Sequence, residues 1–238
     1  MREILKDKNI RTAYKLCLTL GIAYGMVLAI ISLYLTNVHL YDKPTIANLA
    51  TFFSVGIAVF AVPMGLMIRR MSPRVVLAIA LLGYGTAVAV FPWMPGFFGL
   101  AMSRAFDGAF SVGAWISLET ILLLRTSSLN RGFVTGLYSN VLALGYVIGS
   151  AIAWTASKLW ADTEMPVFMA AGCVAAAGAA YALRKLDPVS EAVEVHAEPT
   201  GAVEPTGLSL GALFWKIKTA CVPPFTYGYF QGSLVLYL

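Results

Sequence analysis

Charge is what this sequence has least of. Of its 238 residues only 12% are Asp, Glu, Lys or Arg, while 59% are hydrophobic. A soluble domain carries about a quarter charged residues, so the composition excludes a water-soluble globular chain and leaves the membrane class. Histidine and cysteine are nearly missing too. The two histidines, His39 and His196, fall in loops on opposite sides of the membrane in the topology below, so they cannot share a metal ion. Cys17, Cys173 and Cys221 stand far apart, each in an apolar stretch and with no Cys-x-x-Cys spacing. They read as small buried apolar residues, not as a disulfide or metal framework. No ten-residue alternating strand pattern occurs, which removes a membrane β-barrel. No cofactor and no nucleic-acid partner is expected.

Long apolar runs are what the chain has in their place. They lie at 14–36, 46–68, 75–91, 96–124, 133–157 and 166–183, and a seventh runs from near Thr219 to Leu238. Each is of a length that crosses a bilayer as a helix, and a backbone in lipid must satisfy its own hydrogen bonds. The basic segment Met1–Lys15 followed by Leu16–Leu35 resembles a signal peptide at first sight. The apolar part is longer than a signal core and no Ala-x-Ala-like site follows it, so it is read as a retained first span. Every Lys and Arg except Lys43, Lys158 and Arg104 falls on one side of this arrangement. The positive-inside rule puts that side, and the N-terminus, in the cytoplasm of a multi-pass cell-membrane protein.

The expected fold is therefore all-α, in three parts. Residues 1–185 form a six-helix bundle. Residues 186–210 are acidic, hold Pro188, Pro199 and Pro205, and repeat Glu-Pro-Thr-Gly at 198–201 and 204–207. Such a stretch buries too little apolar surface to fold and reads as a flexible cytoplasmic linker. Residues 211–238 read as the start of a second bundle, cut short inside its first span, so that the C-terminal half is a missing partner.

The fourth run breaks the rule that charge is absent. It carries Arg104, Asp107 and Glu119, and ionisable groups at membrane depth mark function more often than not. Arg104 and Asp107 are three apart and share a helix face. Glu119 lies roughly 22 Å further along the axis and about 60° around it, so the three share one broad face directed into the bundle. Two readings of Arg104 and Asp107 stand side by side: an internal staple, or a pair of which at least one meets substrate or a proton. Glu119, near the cytoplasmic end, reads as an anchor for cytoplasmic arginines. An intramembrane enzyme would need a denser constellation. Asp107 and Glu119 are the only acids available to it, roughly 18 Å apart along one helix. No catalytic activity is expected.

Small residues and short turns complete the motifs. Arg69-Arg70-Met-Ser-Pro-Arg74 allows only a tight antiparallel turn, and Gly65 one turn earlier would permit close helix approach. Gly145-x-x-x-Gly149 in the fifth run is the small-xxx-small pattern of tight helix packing, with Gly136 upstream and Gly132 directly after Arg131.

Together these pieces resemble the major facilitator superfamily. Gly65-Leu-Met-Ile-Arg69-Arg70-Met-Ser-Pro-Arg74 is similar to its signature between spans two and three, with Arg69 where the family carries Asp and Ser72 where it carries Gly. Leu100-Ala-Met-Ser-Arg104-Ala-Phe-Asp107-Gly108 resembles the fourth-span motif, in which Gln often replaces Asp107. Gly136, Gly145 and Gly149 match the fifth-span glycine spacing of its drug/proton antiporters, with Ser150 in place of the usual Pro. The resemblance implies two inverted three-helix repeats, spans one to three and four to six, although no internal repeat is visible in the sequence. It also implies secondary active transport of a small molecule by alternating access, proton-coupled and directed outward. In that frame Arg104 and Asp107 form the central charged site and Glu119, Arg70, Arg74 and Arg131 a cytoplasmic latch. Gly145 and Gly149 let span five pack closely, and Tyr227, Tyr229 and Gln231 of span seven line the cavity. The rival expectation is a non-transporting assembly factor or sensor on the same scaffold.

Overall fold

A computed structural model describes residues 6–159 and 164–187. The linker after 187 and the seventh span, with Tyr227 and Gln231, lie outside the described residues. Six helices follow one another: α1 (Lys8–Asn37), α2 (Lys43–Arg70), α3 (Pro73–Val90), α4 (Gly96–Leu124), α5 (Arg131–Leu159) and α6 (Met165–Lys185). All six are long and apolar enough to cross a membrane. Five of them contain the apolar run that announced them, and α3 ends one residue short of its run, at Val90; most extend beyond the run at one end or both. The reason is capping, which hydropathy does not see. Asp7 accepts from the Asn9 and Ile10 amides and starts α1 well before its run. Asp42 accepts from the Thr45 amide and starts α2, with Pro44 in its first turn. Both satisfy amide groups a helix start would leave bare.

The helices pair in a pattern with internal symmetry. α1 packs most extensively on α5, α2 on α4 and α3 on α6, with α3 on α4 and α1 on α6 next. Exchanging the first three helices for the last three turns α1·α5 into α4·α2, turns α3·α4 into α6·α1, and leaves α3·α6 unchanged. The bundle is thus two three-helix units, inverted because corresponding spans are an odd number apart, as the resemblance implied. The repeat is written in backbone contacts rather than in similar side chains.

Glycines make those contacts in all three equivalent seams. A Cβ on Gly145 would lie 2.7 Å from the Gly21 Cα and 2.8 Å from the Leu18 carbonyl oxygen, and one on Gly149 would collide with the Ile22 carbonyl. In the matching α2·α4 seam, a Cβ on Gly56 would collide with the Ala105 carbonyl and one on Gly108 with that of Phe53. Across α3·α6, Gly85 and Gly172 face each other's carbonyl oxygens in the same way. Gly145 and Gly149 thus stand where the α5 backbone meets that of α1. At Gly65, by contrast, nothing among the described residues lies within 4 Å of the place its Cβ would take. Gly136 is equally uncrowded.

This contrast is testable. Gly149→Ala should destabilise the bundle by about 1–3 kcal/mol by forcing α5 off α1, whereas Gly136→Ala should stay within about 0.5 kcal/mol of the parent. Denaturation of the two variants in detergent measures both; equal stability of both variants would contradict the seam.

Candidate functional site

The polar residues of the bundle interior concentrate on α4. Helices α1 and α4 are the most deeply buried, and α4 carries Ser103, Arg104, Asp107, Ser111 and Ser117 among its buried residues. The Arg104 Nη1 donates to Asp107 Oδ2 in an ion pair that is almost wholly buried. Ser111 Oγ donates to the other carboxylate oxygen, Oδ1, at 3.2 Å, one helical turn further on. The guanidinium also lies over the Phe53 ring of α2, 4.7 Å from its centre, an arrangement attractive in itself. The spacing of three residues put the two charges on one face, and the fold closes that face with α1, α2, α3 and α6.

The space beside the pair is lined by Val27 and Ile31 of α1, Val88 of α3, and Phe168 of α6, and it is too tight for a water molecule. In such a medium an unpaired charge is heavily penalised, so the two charges hold each other in place.

Two tyrosines adjoin this site that the sequence did not single out. Tyr24 of α1 and Tyr84 of α3 pack edge to face, ring centres 4.7 Å apart. Both hydroxyls are buried and have no hydrogen-bond partner among the described residues. The Asp107 charge acts on both hydroxyls, and that of Arg104 on Tyr84 as well. An unsatisfied buried hydroxyl costs about 1–3 kcal/mol, so two together beside a carboxylate are unusual. Tyr24 also stacks on Tyr146 of α5 at 5.8 Å, and its ring centre is 5.8 Å from that of Trp115 of α4. In the sequence, a tyrosine inside an apolar run looks like packing. What distinguishes these two is their height in the bundle, level with Asp107, which only the packing of α1 and α3 against α4 determines.

The expected latch is not assembled. Glu119 is exposed, as are Arg70 and Arg131. Among the described residues the ion pairs are Arg104–Asp107, Lys8–Asp187 and Arg125–Asp7, and Glu119 joins none of them. Arg74 is half-buried and donates instead to the Leu183 carbonyl of α6. The turn of about 60° between Arg104 and Glu119 is enough to carry Glu119 from the closed side of α4 to the open one.

A different polar cluster ties that end of the bundle together. Asp7 caps α1 with one carboxylate oxygen and accepts from Arg125, just after α4, with the other at 3.3 Å. Asp187, just after α6, accepts from Lys8 Nζ at 3.0 Å and from Asn9 Nδ2 at 3.4 Å, while its amide donates to Asn9 Oδ1 at 3.0 Å. The Lys8 hydrogen bond and charge hold the Asp187 carboxyl below the usual aspartate range. The signal available in the sequence was the Asp7-Lys8-Asn9 run at the head of the first span, which reads as a helix cap; the partners Arg125 and Asp187 could not be read from spacing.

Among the described residues no group of His, Cys, Asp and Glu is placed to hold a metal ion. Comparison with curated proteins finds no significant match. A family model described as Major Facilitator Superfamily matches residues 16–238, a stretch that includes all of α2 to α6 and most of α1. With the match covering nearly all of its length, the chain belongs to the Major Facilitator Superfamily and is a multi-pass membrane transporter.

Proposed function

We propose that this transporter exports a small molecule across the cell membrane by alternating access, driven by protons moving inward, with its N-terminus in the cytoplasm. The observation that carries the proposal is the buried Arg104–Asp107 pair. Of the two, the carboxyl is the group that changes charge by taking up a proton; a guanidinium does not lose its own. Protonation of Asp107 turns a neutral pair into a net cation held against the Phe53 ring. In a dry core such a change in charge is large enough to favour one packing of α4 against its neighbours over another, which is how local charge events drive two-state transitions.

The faces that α2 and α5 leave uncovered suit a second bundle. Thr51, Ser139 and Asn140 stand exposed on them, within spans whose other exposed residues are mostly apolar. Residues 211–238 begin that second bundle, after the linker at 186–210, and Tyr227 and Gln231 face the cavity between the halves. Glu119, Arg70 and Arg131, all exposed, then gate against groups of the second half rather than against one another. The positive-inside distribution supports the orientation.

Inside-out membrane vesicles carrying the full chain test this. Energised by an acid-inside pH gradient and supplied with a small-molecule extract of cells, they should accumulate at least one compound above control vesicles, and a protonophore should abolish the difference. Accumulation that is indifferent to the gradient would contradict proton coupling.

A further inference from the structure

Phe53 is where α2 meets the buried charges. Among the described residues α2 packs on α4 far more than on any other helix, and its buried Phe53, Ile57 and Met64 form a small core of their own with Val112 of α4. The two backbones touch at one turn. A Cβ on Gly108 would collide with the Phe53 carbonyl, and one on Gly56 with the Ala105 carbonyl. That turn of α4 is the one that carries Arg104 and Asp107, and the Arg104 guanidinium lies 4.7 Å from the centre of the Phe53 ring. The other neighbours of the carboxyl come from four elements. Ser111 of α4 donates to Asp107 Oδ1 at 3.2 Å. Tyr24 of α1 and Tyr84 of α3 are the buried tyrosines on which the Asp107 charge acts, and α6 presents the non-titrating ring of Phe168. The charges of α2 itself, Lys43, Arg69 and Arg70, stand at its ends.

We infer that Phe53 is the positioning residue through which α2 responds to the charge of the Arg104–Asp107 pair. This rests on the reading of Asp107 as the proton site. With Asp107 ionised the pair is neutral, and the attraction of the ring face for the guanidinium is partly cancelled by its repulsion of the carboxylate. With Asp107 protonated a full positive charge faces the ring, beside a space too tight for water, and a desolvated cation is held most strongly. Each proton taken up therefore tightens the contact between α2 and α4 at that turn, and each proton released loosens it. Coupling of this kind is reciprocal: a ring that holds the protonated pair more firmly makes protonation easier. α2 is suited to pass the change on, because Thr51, Phe52 and Val55, next to Phe53 in the chain, stand exposed on the face it leaves uncovered.

Fluorinated phenylalanines at position 53 test the contact, because fluorine drains the negative face of the ring, on which the attraction depends, while changing its size little. The readout is the pH at which the protonated carboxyl band of the full chain in lipid reaches half its final height in infrared spectra, with Asp107→Asn identifying the band. One, two and three fluorines should move that pH downward in steps, to a total of roughly 0.5 unit or more. The same replacements at Phe52, exposed and with its ring centre 6.1 Å from that of Phe97, should leave it unchanged. A half-height pH that stays put through the Phe53 series, or moves as far in the Phe52 series, overturns the role of Phe53 and leaves that of Asp107 standing. A parent with no band that Asp107→Asn removes overturns both. Should the trifluoro protein fail to fold, the single-fluorine protein decides by direction: a downward shift supports the contact, and none or an upward one overturns it.

Discussion

Replacing Arg104 by leucine should destabilise the bundle by about 3–5 kcal/mol at neutral pH, the cost of leaving one member of a buried ion pair without its partner. Asp107 is almost wholly buried, and its remaining bond from Ser111 at 3.2 Å comes from a neutral donor. A lone carboxylate there has no counter-charge within reach and no water. Loss of the guanidinium also removes its contact with the Phe53 ring, worth about 0.5–2 kcal/mol. The deficit should shrink in acid, where the lone carboxyl takes up a proton instead of remaining charged. Removing both charges, as Arg104→Leu with Asp107→Leu, should restore most of the stability, because a buried pair exchanged for apolar residues is often neutral. Denaturation in detergent at two pH values reads all three outcomes. A single variant as stable as the parent at neutral pH would mean that the pair is hydrated in solution.

Asp107→Asn should have the larger effect on transport. Asparagine keeps the volume and an acceptor oxygen for Arg104 and Ser111, which offsets part of the cost of leaving the guanidinium without its counter-charge, but it cannot change its own charge. Transport driven by a pH gradient should fall to the level of control vesicles, a loss of about a hundredfold or more if the proton step is what couples the cycle. Exchange of substrate across the membrane at equal pH moves no net proton and should persist. The vesicle assay separates the two, with the compound the parent accumulates as the probe. Gradient-driven accumulation that survives the substitution would leave the pair as a staple.

How much of this was legible in the chain varies from residue to residue. The six spans were, because a bilayer requires twenty or so apolar residues in a row and few soluble structures do. That Arg104 and Asp107 belong together was legible from their spacing, since three residues bring two side chains to one face of any helix. The fate of Glu119 was not. Its angle from Arg104 was computable, but whether that angle points into or out of the bundle depends on where α2 and α5 end, which no local pattern encodes. The internal repeat was hidden for a related reason. Its seams are set by Gly21 and Gly145, Gly56 and Gly108, and Gly85 and Gly172, and a glycine signals only that something comes close, not which helix does. Tyr24 and Tyr84 were missed because their significance lies in what their hydroxyls lack, and an absent partner is visible only in three dimensions.

The central claim is that Asp107, inside the bundle and beside Arg104, takes up and releases the coupling proton. Infrared difference spectra of the full chain in lipid, recorded across the pH range in which transport changes, test it without knowledge of the substrate. A protonated-carboxyl band should grow as the pH falls and be missing in Asp107→Asn. The same band in parent and variant, or none in the parent over that range, would contradict it.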